Sequence, residues 1–73
     1  MMNLNFFANK FIPGDKFQIN EIGESVKKHL SALKVGDSIM LLGATKDGLT
    51  FRHENRIYDV NSSFGNDLMV STI

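Results

Sequence analysis

Two tight-turn dipeptides, Asp47-Gly48 and Glu54-Asn55, bracket the stretch Leu49 to His53. Two-residue loops of this kind join antiparallel strands, because their backbone twist matches that of the strands they link. The pair therefore commits the middle of the chain to β structure, with Ser38 to Ala44 leading in and Arg56 to Val60 leading out. With both dipeptides as loops, Ala44 faces Phe51, Phe51 faces Tyr58, Leu49 faces Val60 and His53 faces Arg56. One face then carries Met40, Leu42, Ala44, Leu49, Phe51, Tyr58 and Val60. The other carries Ile39, Leu41, Gly43, Thr45, Thr50, Arg52, Ile57 and Asp59. The side-chain period is two, so one residue of slip would exchange the faces. Gly43 inside a strand marks a bulge or a close backbone approach.

Upstream, Ile19, Ile22, Val26, Leu30 and Leu33 recur at spacings of 3, 4, 4 and 3, an apolar stripe with helical period. The spacing predicts a helix from Glu21 to Lys34, with Asn20 as N-cap and Gly36 at C′. Glu21 and Glu24 lie near its positive end, and Lys27, Lys28, His29 and Lys34 toward its negative end. Residues 1–12 read as an apolar N-terminal strand or arm, closed by the turn Pro13-Gly14-Asp15. Phe17 and Ile19 belong to a second short strand, Ser62 to Asp67 to a loop, and Leu68 to Ile73 to a last strand. The expected fold is α+β: one amphipathic helix packed on an antiparallel sheet of four or five strands, in the order β-β-α-β-β-β, as a single small domain over residues 1–73.

Composition narrows the chemistry. The 73 residues include no Cys, so disulfides, thiolate zinc sites and cysteine nucleophiles are excluded. Two His residues need carboxylate help to hold zinc, and neither a metal nor a cofactor is expected. Eight basic and eight acidic residues leave a formal charge of zero, so no global field draws in nucleic acid or anionic lipid. No stretch approaches the ~20 apolar residues that cross a bilayer. The apolar start has no basic flank and no small-residue cleavage site, so the expected compartment is the cytoplasm. The abundance of Phe, Ile, Lys and Asn suits an AT-rich bacterial or phage genome. A domain this small buries only about 60% of its unfolded surface. Without disulfides or metal it needs very good packing or a partner.

Geometry sharpens that need. A helix is about 10 Å wide, whereas four strands at about 4.8 Å span about 19 Å. One helix covers one face, and Ile39, Leu41 and Ile57 on the other need a different cover. The aromatic N-terminal residues Phe6, Phe7 and Phe11 are one candidate and a second subunit is another. The candidate protein-binding residues are thus Phe6, Phe7, Phe11, Ile39, Leu41 and Ile57. The last strand, with Met69, Val70 and Ile73, raises the same question, because an apolar edge invites strand addition.

Arg52, His53 and Arg56 cluster at the second hairpin and could contact an anion or nucleic acid, with Lys27 and Lys28 as a second basic surface. Against this, Glu54 balances the hairpin tip, and lysines in a last helical turn serve the macrodipole and solubility. His29, at the margin of the apolar stripe, reads as a half-buried packing residue. Ser25, Ser62 and Ser63 have no Gly-x-Ser-x-Gly elbow around them, and no phosphate-loop glycine pattern is present. No enzyme activity and no small-molecule substrate are expected. The resulting reading is a small non-enzymatic module. It binds protein, either itself as a homodimer or a larger protein as an accessory or inhibitory subunit, and is phage- or mobile-element-like in size. The alternative is a nucleic-acid-binding module that uses the basic hairpin tip.

Overall fold

A computed structural model describes residues 1–73. Its elements run β1 (Met2–Asn3), α1 (Leu4–Ala8), β2 (Lys16–Ile22), α2 (Glu24–His29), β3 (Ser38–Ala44), β4 (Gly48–His53), β5 (Arg56–Asn61), a 3-10 turn (Ser62–Asp67) and β6 (Leu68–Thr72). The six strands form one antiparallel sheet in the order β1-β6-β2-β3-β4-β5. This overturns the expectation of a single helix on four or five strands. The sheet curls around one core made of Phe17, Ile19, Ile39, Leu41, Leu49, Phe51, Leu68 and Val70, with Leu4 of α1, Val26 of α2 and Leu33 closing it.

The long helix fails for a definite reason. Phe17 and Ile19 alternate inward along β2 with Lys16 and Gln18 outward. That period of two competes with the helical stripe over the shared residues Ile19 and Ile22. Strand pairing wins because β2 is central. It bonds to β3 on one side and to β6 on the other, so its backbone groups are satisfied along most of its length. Only Glu24–His29 remains helical, with Gly23 rather than Asn20 at its N-cap and no side-chain cap bond. Leu30 leaves the helix at φ −129°, so Gly36, expected at C′, does not end it; Gly36 takes its left-handed φ of 96° in a later turn, where Asp37 N–H bonds to Lys34 O at 3.0 Å.

The N-terminal segment also departs from expectation. Only Met2 and Asn3 pair with β6; Asn3 then caps α1, its side chain accepting from the Phe6 N–H at 3.0 Å. The capped turn lets Leu4 point fully into the core.

The second hairpin matches the sequence register: Leu49 faces Val60, Phe51 faces Tyr58 and His53 faces Arg56. The first does not. Its loop is Lys46-Asp47, one residue early, because Thr45 N–H bonds to Gly48 O at 2.9 Å and Thr45 Oγ1 accepts from Gly48 N–H at 3.1 Å. Ala44 then faces Leu49, and the register shifts between Leu41 and Gly43. The additional residue, Leu42, is the bulge that Gly43 signalled, and it inverts the faces upstream. Ile39 and Leu41 thus turn inward, to exposures of 2% and 0%, while Met40 turns out.

Candidate functional site

The bulge in β3 creates an outer row across four strands. Lys16 pairs with Met40, Met40 with Arg52, and Arg52 with Ile57. Alternation puts all four on the face away from the core. Met40 is half-buried, whereas Ile57 is 62% exposed on β5, the last strand of the sheet. The far side of β5 pairs with no other strand, so its backbone N–H and C=O groups form an open edge. Arg52 does not stand free: its Nε–H donates to Glu54 O at 2.9 Å and folds the side chain over the hairpin tip. A hollow of about 280 Å³ lined by Lys16, Ser38, Met40, Arg52 and Glu54 lies beside this row.

The expected protein-binding residues divide. Ile39 and Leu41 lie in the core, so neither is available to a partner without opening the fold. Phe7 packs against Phe17 with its ring tilted by 42° and the centroids 4.9 Å apart, and Phe11 is half-buried against the same core. The arm thus provides part of its own chain's cover. Phe6 meets Phe7 edge-to-face at 5.3 Å and remains 44% exposed, with the Lys10 ammonium 5.5 Å from its ring centroid. Phe6 and Ile57 are the members of the set that face solvent.

The basic residues are not gathered into one patch. Arg52 lies on the outer face, Arg56 at the hairpin tip, and Lys27 and Lys28 on the exposed side of α2. His53 points the other way. It is 4% exposed, and its Nε2 lies 2.8 Å from Asp37 Oδ2. Asp37 also accepts from Lys34 N–H, at 3.2 Å. The hydrogen bond with His53 is the main cause that holds the Asp37 carboxyl below its ordinary range, against the opposing effect of burial. The pairing of Asp37 with His53 was missed in the sequence. It joins residues sixteen positions apart, and only the β3–β4 hairpin brings them together.

Nothing resembling a hydrolytic triad assembles. Ser25 Oγ–H donates to Asp67 Oδ2, and His29 Nδ1–H donates to the Ser25 carbonyl oxygen at 2.9 Å. His29 is exposed rather than half-buried, its ring set edge-on to Phe64 at 5.6 Å. Ser62 Oγ–H donates to Lys46 O at 3.2 Å. These hydroxyls cap and tie loops. No helix is long and apolar enough to cross a membrane.

No family model matches the chain, and no curated protein matches it. Among solved structures, the NMR structure of a FeoA-like protein from Clostridium acetobutylicum is similar, with a TM-score of 0.76 at 17% sequence identity. The match covers 99% of this chain and 86% of that one. The chain therefore has a FeoA-like fold, a small curled antiparallel sheet, and the likeness carries the fold alone.

Proposed function

We propose that this chain is a small non-enzymatic module that binds protein through the β5 edge and the outer face beside it. The observation that carries the reading is Ile57, a large aliphatic side chain 62% exposed on an edge strand. An extended segment laid along β5 would gain main-chain hydrogen bonds from the open edge and apolar contact from Ile57. Arg52, opposite Ile57 on the same outer face, would set a preference for acidic or polar neighbours on the partner. The segment belongs either to a second copy of the chain or to a larger protein. The dispersed basic residues and the zero formal charge give the nucleic-acid alternative no comparable support.

The test combines two measurements. Light scattering over a concentration series reads self-association, and a photo-reactive residue at position 57 captures a different partner in host extract. The expected result is either a dimer cross-linked through position 57 or one discrete heterologous adduct, absent when the same group replaces Lys46. A monomer at every concentration with no position-specific adduct contradicts the proposal.

A further inference from the structure

Asp37, His53 and Glu54 meet at the turn between β4 and β5, on the face of the sheet opposite Ile57. His53 ends β4, Glu54 opens the tight turn that follows, and Asp37 immediately precedes β3. Their donor atoms converge. His53 Nε2 lies 2.8 Å from Asp37 Oδ2 and 4.0 Å from Glu54 Oε2, and one donor atom from each residue fits within 4.8 Å of the others. We propose that this trio is a binding site for a divalent transition-metal ion, with the His53 imidazole and the two carboxylates as ligands.

Four features carry the assignment. The first is donor chemistry: one imidazole nitrogen and two carboxylate oxygens suit zinc and its first-row neighbours, and two negative charges match a dication. The second is spacing. Ligand bonds of about 2.0–2.2 Å require tetrahedral donors about 3.4 Å apart, which lies between the two separations measured from Nε2. Rotation of the exposed Glu54 side chain shortens one, and insertion of the ion between His53 and Asp37 lengthens the other. The third is anchoring. His53 is 4% exposed, and Asp37 is fixed by the Lys34 N–H, so two of the three ligands are held before any ion arrives. The fourth is access. A hollow of about 430 Å³ lined by Ala32, His53, Glu54, Asn55, Arg56 and Tyr58 opens onto His53, leaving room for a water as fourth ligand.

The charges nearby limit affinity. Lys34 acts electrostatically on Asp37, and Arg56 lines the hollow; both oppose a cation. The site is therefore expected to bind in the micromolar range, as a loaded-and-unloaded site rather than a permanent structural one. An ion must also displace the hydrogen bond between His53 and Asp37, which lowers affinity further.

The experiment titrates the full chain with Zn2+ by calorimetry and with Mn2+ by NMR. Expected are one saturable Zn2+ site and paramagnetic broadening centred on residues 37, 53 and 54. Asp37→Asn should weaken binding tenfold or more. Glu54→Gly should do the same while its fold is retained. Glu54 has a left-handed φ of 57°, which glycine adopts without strain, so loss of binding in that variant is not loss of structure. Absence of saturable binding at millimolar Zn2+ overturns the proposal. So does unchanged affinity in Glu54→Gly, or broadening centred on His29 or the N-terminus.

Discussion

Leu41 faces Phe51 across the β3–β4 ladder, whereas Ala44 faces Leu49, so the two pairs differ by one step of register. That step, taken up at Leu42, decides which side of β3 is core. It puts Leu41 at 0% exposure beside Phe51 and releases Met40 to the outer row. Leu41→Ala should destabilise the chain by about 2–5 kcal/mol, because the enclosed site cannot collapse onto the missing methyl groups. Met40→Ala, by contrast, should have a much smaller effect. Urea unfolding of the two variants makes the comparison; equal losses would mean that the bulge is misplaced.

The Asp37 carboxyl supplies an acid-sensitive element. Its folded-state value is lowered, chiefly by the hydrogen bond from His53. A lowered carboxylate contributes stability that is present above its unfolded value and is lost as pH falls through the folded one. The melting temperature should therefore fall on acidification below the ordinary carboxylate range. In Asp37→Asn that part of the decline should be absent. Melting curves across the acid range, for both proteins, check this.

Gly65, in the 3-10 turn, packs directly against Asn5 of α1. A Cβ there would run into the Asn5 side chain and sit 2.8 Å from Leu49 Cδ1. Asn5 has little freedom to give way, since its Nδ2 donates to Ser62 O at 2.7 Å and to Asn66 Oδ1 at 3.0 Å. Gly65→Ala should cost about 1–3 kcal/mol through overpacking. Thermal denaturation reads the loss, and Asn5→Ala in the same background should recover part of it.

Much of the β half of the fold is legible in the sequence because short-range chemistry fixes it. Glu54-Asn55 sets the register of β4 on β5, and the alternation of Leu68 and Val70 marks the inner face of β6. Gly43 announces the bulge without saying which faces it exchanges. The helical part misleads because the stripe from Ile19 to Leu33 mixes two origins. Ile19 is a strand residue, Val26 a helical one, and Leu33 follows the helix in a turn whose N–H bonds to Leu30 O at 3.1 Å. The choice between the two periods depends on pairing of β2 with β3 and β6, which lie far along the chain. The same holds for the candidate sites. Ile57 is exposed whichever way β3 is phased, whereas Ile39 and Leu41 depend wholly on the bulge. The meeting of Asp37 with His53 is a long-range event with no local signature.

The function proposed above requires that position 57 contribute to binding and not to folding. Ile57→Asp tests this most directly, with melting temperature and position-dependent partner binding measured on the same sample. The melting temperature should stay close to that of the unaltered chain, since most of the side chain is already in water, and the dimer or heterologous complex should be lost. A large drop in melting temperature, or a complex that survives the charge intact, would contradict the proposed function.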